Sequence, residues 1–181
     1  MNDLQEKFNQ KVKPALMKEF GYRNVMECPD IKKVSINVGL SQAKDDKEFI
    51  QGIKEDLTLI AGQVPVITRA RKSIAGFKTR QGQPVGMKIT LRGGKMWDFI
   101  YRLIGAALPR IKDFRGLSPK AFDEKGNFSI GIKEHLIFPE ISTDNIRNIF
   151  SFQVNITTKA NDRQEGIALL RALGFPLKKD K

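Results

Sequence analysis

The period of the apolar residues switches back and forth along this chain, and that switching limits the possible folds more than any other feature of the sequence. Between Asp3 and Phe20, the residues Leu4, Phe8, Val12, Leu16 and Phe20 recur at four-residue intervals, the drifting stripe of an amphipathic helix. Gly21 supplies its C-cap, and Pro14 is expected to kink or split it. From Ile31 the period falls to two: Val34, Ile36 and Val38 alternate with Lys33, Ser35 and Asn37 until Gly39 closes the run. A half-buried strand follows from that pattern.

Both signals return further on. Asp45 and Asp46 are placed to cap a helix whose apolar face is Phe49, Ile50, Ile53, Leu57 and Ile60, with Gly62 at its end. Val64 to Thr68 reads as a strand, and Val85, Met87, Ile89 and Leu91 alternate with Gly86, Lys88, Thr90 and Arg92 in another, which Gly93 and Gly94 break. Met96, Phe99, Ile100, Leu103 and Ala107 predict a helix stopped by Pro109. Phe128, Ile130 and Ile132, then Phe152, Val154 and Ile156, give two further strands. Asn161 with Gln164 is expected to cap a last helix that runs through Leu173 to Gly174 and Pro176.

Helices with one apolar stripe, alternating with strands that have one polar side, predict an α+β fold. The expected form is a two-layer sandwich: a mainly antiparallel sheet with helices packed on one face and the other face open. Residues 1–181 are expected to form a single domain with two long connections, a basic loop at 69–84 and a segment at 109–126 rich in Gly, Pro and charge. A connection as long as the second is usually functional or disordered.

Charge narrows the partners. The chain has 32 Lys and Arg against 20 Asp and Glu, a net charge of +12, which suits a polyanion. With no long apolar run or basic amphipathic anchor, nucleic acid is expected rather than a membrane. The segment from Met1 to Gln10 mixes Asp3, Glu6 and Lys7 with scattered apolar residues, which is no signal peptide, so a cytoplasmic location is expected. From Leu57 to Trp97 there is no acid at all, while Arg69, Arg71, Lys72, Lys78, Arg80, Lys88, Arg92 and Lys95 all fall there. Charge of one sign repels itself, and a phosphate backbone would offset the repulsion.

Lys78 and Arg80 would sit at a mobile tip of the 69–84 loop, and Phe77 between them either stacks on a base or folds back onto the loop. Asn37, Gln63 and Thr90 can both donate and accept hydrogen bonds, as RNA base edges and 2′-hydroxyls require. Taken alone, those three residues are better explained as the wet side of an ordinary antiparallel sheet.

Catalytic signals are poor. Gly93-Gly94-Lys95 lacks the spacing of a phosphate-binding loop, and Ser73 and Ser118 have only His135 as a conceivable base. Asp123 with Glu124, and Asp45 with Asp46, look like turn and cap residues. Cys28 is the sole cysteine and His135 the sole histidine, so no metal, cofactor or small-molecule substrate is expected. A structural RNA binder is the first reading. Basicity alone also leaves open a free-standing nucleic-acid regulator or an RNA-modifying enzyme.

The run from Leu57 to Lys78, LTLIAGQVPVITRARKSIAGFK, closely resembles the hallmark segment of the bacterial large-subunit ribosomal protein five family, which binds 5S ribosomal RNA. Pro14 to Tyr22, Leu91 to Gly93, Ala107 to Arg110, Asp113 to Lys120, Gly131 to Glu134 and Ile137 to Ile141 resemble it too, in the right order. The resemblance implies a non-enzymatic protein of the central protuberance that fixes 5S RNA there alongside other large-subunit rRNA and proteins. It implies rRNA contacts from Lys33, Asn37, Gln63, Thr68, Arg69, Arg71, Lys72, Lys88, Thr90 and Arg92. It also implies a loop against the peptidyl-site tRNA, formed by Ser73, Ile74, Ala75, Gly76, Phe77, Lys78, Thr79, Arg80, Gln81 and Gly82. A contact with small-subunit protein thirteen would fall to Arg110, Lys112, Arg115, Glu134, Glu140 and Asp144. Two departures stand out: Arg71 replaces a lysine common in the family, and Ser142-Thr-Asp144 replaces an acidic-aromatic stretch.

Overall fold

The computed structural model describes residues 3–40, 46–141 and 149–178. The first helical stretch is α1 (Asp3–Lys7), a π turn (Phe8–Val12) and α2 (Lys13–Phe20). Each four-residue step overshoots a 3.6-residue α turn, and the wider π turn restores the lag. Leu4, Phe8, Val12 and Leu16 therefore all stay on the buried side. Pro14, expected to kink or split the helix, stands at the start of α2, two residues beyond the π turn that interrupts the α-helical stretch. Gly21 closes α2 in the left-handed conformation at φ 69°.

The remaining elements follow the periodicities: β1 (Ile31–Gly39), α3 (Lys47–Ala61), β2 (Val66–Arg69), β3 (Pro84–Leu91), α4 (Gly93–Arg102), β4 (Phe128–Ile132), β5 (Phe152–Thr158) and α5 (Arg163–Leu173). The Asp46 carboxylate caps α3 by accepting from the Phe49 N–H at 3.0 Å. Asp45 lies outside the described residues. Gly93 and Gly94 end the strand as expected and also form the first turn of α4. That helix runs on through a π turn (Leu103–Ala107) into a 3₁₀ turn (Leu108–Arg110), so Pro109 lies inside the closing turn rather than beyond it.

The five strands form one open antiparallel sheet in the order β2-β3-β1-β5-β4, and the fold is α+β. One face carries Val34, Ile36, Val38, Met87, Ile89, Leu91, Phe128, Ile130, Ile132, Phe152, Val154 and Ile156, all buried with the helix residues Phe8, Leu16, Leu57, Ile60, Phe99, Ile100 and Leu169. Each such side chain contributes about 1.5–3 kcal/mol by leaving water. The alternate residues of the same strands face outward.

One expectation needs correcting. Asn161 and Gln164 do not cap the last helix: Asp162 is the N-cap residue, and the Glu165 carboxylate reaches back to accept from the Asn161 N–H at 2.8 Å. The 109–126 connection has little regular structure, but it is pinned to the core. The Leu117 N–H donates to the Pro176 carbonyl at 2.8 Å, the Lys178 N–H donates to the Leu117 carbonyl at 2.9 Å, and the ring of Phe122 meets that of Phe128 at 4.8 Å.

Candidate nucleic-acid interface

Strand register arranges the outward residues in transverse rows. One row is Gly131, Gln153, Asn37, Lys88 and Val66, crossing all five strands from β4 to β2. A second is Ser129, Asn155, Ser35 and Thr90, and Lys33 pairs with Thr157 at the side. No strand contains an Asp or Glu. The open face is thus a plane of amides, hydroxyls and lysines, able to donate and accept but with no negative charge of its own.

The structure brings most of the predicted rRNA-contact residues together. Lys33, Asn37, Lys88 and Thr90 lie on adjacent strands of this face, and Gln63 joins them through its Nε2, which donates to the Thr90 carbonyl at 3.4 Å. Thr68 lies across from Gly86 on the edge strand β2. Arg69, Arg71, Lys72 and Arg92 are exposed at the strand ends and loop base. Gln153, Asn155, Thr157 and Ser129 belong to the same surface and escape the sequence reading. Their alternation with Phe152, Val154 and Ile156 is the available signal, but only register shows that β5 lies beside β1.

The 69–84 loop, too long for a tight hairpin, extends the β2–β3 ladder as an arm. The Ala70 N–H donates to the Gln83 carbonyl at 2.9 Å, the Gly82 N–H donates to the Ala70 carbonyl at 2.9 Å, and Ile74 bridges Thr79. Ser73 Oγ accepts from the Gln81 N–H at 3.0 Å, and the Gln83 side chain accepts from the Arg80 N–H at 3.1 Å. At the turn, Ala75, Gly76 and Phe77 form a 3₁₀ turn and Lys78 adopts φ 49°. Phe77 is 72% exposed and, with Ala70, Ile74 and Val85, lines an apolar hollow of about 590 Å³ rimmed by Arg71 and Lys72.

The residues implied in the small-subunit contact stand in different settings. Arg110, Lys112, Arg115 and Glu134 are exposed. Glu140 is half-buried in an ion pair with Arg102. Asp144 lies outside the described residues.

The candidates for chemistry resolve into structural roles. Asp123 accepts from the Lys125 and Asn127 N–H groups and from the Asn127 amide, holding a turn. Ser118 Oγ accepts from the Lys120 N–H. His135 is buried against Phe150, and burial pulls its pKa below the ordinary histidine value although Asp56 opposes the shift. Among the described residues, no cluster of three or more His, Cys, Asp and Glu is placed to hold a metal ion. None of the described helices is long and apolar enough to cross a membrane.

Known proteins share this sequence over nearly its whole length. Residues 24–80 match the family described as Ribosomal protein L5, and residues 84–177 match the model for the C-terminus of the same ribosomal family. The chain is 50% identical over 179 residues to the large ribosomal subunit protein uL5 of Colwellia psychrerythraea, covering 99% of each chain. It is 51% identical over 178 residues to the protein of that name from Psychrobacter cryohalolentis, covering 98% of this chain and 100% of the relative. Against the uL5 of a Shewanella species it is 51% identical over 179 residues, covering 99% of this chain and 100% of the relative.

Proposed function

The chain belongs to the ribosomal protein L5 family, and from that premise we propose that it fixes 5S rRNA to the large subunit through its open sheet face. It is a structural, non-enzymatic protein of the large ribosomal subunit, working in the cytoplasm among rRNA and ribosomal proteins. The observation that carries the finer reading is the acid-free open face, with Asn37, Lys88 and Thr90 on adjacent strands. Phosphate neutralisation by Lys33, Lys88, Arg69, Arg71, Lys72 and Arg92 supplies affinity, while hydrogen bonds from Asn37, Gln63, Thr68 and Thr90 supply placement.

The arm from Ser73 to Gly82 meets the peptidyl-site tRNA in this reading. Its support is an exposed, basic tip at the end of a ladder that continues the β2–β3 pairing. Arg110, Lys112, Arg115, Glu134, Glu140 and Asp144 serve the contact with small-subunit protein thirteen. The whole chain acts as one domain, a reading supported by the pairing of β1, from the first matched segment, between β3 and β5 of the second.

The test is affinity for 5S rRNA against tRNA, by filter binding with purified protein. Selective binding of 5S rRNA is expected. Equal affinity for both RNAs would sink the proposal.

A further inference from the structure

Three strand glycines face the open side of the sheet, and at only one of them would an added Cβ meet protein atoms. A Cβ on Gly86 would lie 2.9 Å from the Val38 carbonyl oxygen and 3.0 Å from Thr68 Oγ1. At Gly39 and Gly131 an added Cβ would meet nothing within 4 Å, and neither has a positive φ. Gly39 ends β1 and Gly131 lies within β4; glycine in a strand often marks a site of close ligand approach, and these two leave the sheet surface bare.

Gly39 and Gly131 floor one open trough of about 470 Å³, walled by Asn37, Gln153, Lys133 and Ser151. Asn37 and Gln153 are direct partners across β1 and β5, so their amides stand side by side, and Gln153 is also the partner of Gly131. Two adjacent amides offer paired donors and acceptors of the kind that read a base edge, and Lys133 supplies a cation for a phosphate. The volume lies within the range of small-ligand sites. No Asp or Glu lines the trough.

We propose that this trough receives a single unpaired nucleotide of the bound RNA, its base read by Asn37 and Gln153 and its phosphate held by Lys133. The proposal rests on the sheet face being the RNA-binding surface, and it adds β4 and β5 to that surface as the determinants of specificity. A splayed base presents the edge that these amides need, whereas a base within a duplex does not.

The test uses full-length protein and 5S rRNA, comparing wild type with Gly39→Val, Gly131→Val, Gln153→Ala and Lys133→Ala by filter binding and base-reactivity footprinting. The valines add bulk to the trough at positions where a Cβ meets no protein atom, and the alanines dismantle its walls without adding bulk, so a folding defect in one pair leaves the other informative. Loss of a seated base predicts roughly tenfold or greater weakening. In the footprint, one unpaired base protected by wild type should regain reactivity in the variants while the other protections persist. Wild-type binding with unchanged affinity and footprint in all four variants would overturn the trough and leave the RNA-binding reading intact. Failure of wild type to prefer 5S rRNA would remove that reading and the trough with it.

Discussion

The imidazole of His135 lies nearly parallel to the Phe150 ring, with centroids 4.1 Å apart and planes inclined by 12°. Its Nδ1 accepts from the Phe150 N–H at 3.5 Å, which leaves the proton of the neutral ring on Nε2, 3.6 Å from the Asp56 carboxylate. The ring is 1% exposed. Protonation would end the Nδ1 acceptance and place a cation where little water reaches.

This arrangement sets a pH dependence of stability. The folded pKa of His135 lies below its unfolded value because burial outweighs the attraction of Asp56 and the smaller effect of Glu134. The unfolded chain therefore binds the proton more readily, and the contribution of the neutral ring is lost as pH falls below about 6.5. Asp56 acts in the opposite sense: burial raises its pKa despite His135, so its ionised form costs stability as pH rises. Thermal unfolding of wild type should show Tm falling between about pH 7.5 and 5.5, and His135→Gln should flatten that fall. An equal slope in both proteins would count against the buried neutral imidazole.

Gly166 offers a contrast with the trough glycines. A Cβ there would lie 2.4 Å from the Gly126 carbonyl oxygen and 2.6 Å from its Cα, so α5 can approach the 123–127 turn only through a bare backbone. Gly166→Ala should destabilise by about 1–3 kcal/mol or more, because backbone rather than a flexible side chain must move. Chemical denaturation checks this, with Gly131→Ala, which meets nothing, as the reference expected to stay close to wild type.

Much of this is legible in the sequence, and the limits have a physical pattern. The face of each strand can be read from alternation, because Val34 and Lys33 must point to opposite sides. Neighbouring strands cannot be read, because the pairing of Asn37 with Gln153 depends on register across residues far apart in the chain. By residue type Asn161 suits a cap, but the N-cap position falls one residue further on at Asp162 and the side-chain bond comes from Glu165, a shift that backbone geometry decides. The partners of His135 are hidden for the same reason: Asp56 lies on α3 and Phe150 just before β5, and nothing local couples them. The π turn near the start does leave a trace, since a strict four-residue stripe needs a turn wider than an α-helix supplies.

Asn37 and Thr90 sit on the paired strands β1 and β3, in adjacent rows of the open face. If both meet buried RNA groups, Asn37→Ala or Thr90→Ala should each weaken 5S rRNA binding by roughly 1–3 kcal/mol, since the RNA partner is left unpaired. Isothermal titration against 5S rRNA measures this directly. Unchanged affinity in both variants would return the two residues to the solvated side of a sheet.

The arm and the face should separate by salt as well as by mutation. Phosphate contacts release counterions, so log affinity for 5S rRNA should fall with log salt at a slope of about 4 to 7 if several Lys and Arg each neutralise a phosphate. Lys88→Ala removes one such cation from the centre of the face, beside Asn37 and Val66, and should reduce that slope by about 1. Lys78→Ala combined with Arg80→Ala removes two exposed cations at the far turn of the arm. Because those cations stand beyond the ladder that continues β2 and β3, past the last paired residues of the sheet, both slope and affinity should stay near wild type. A loss of slope in the double variant as large as that in Lys88→Ala would mean that 5S rRNA reaches the arm, and the division of labour between face and arm would fail.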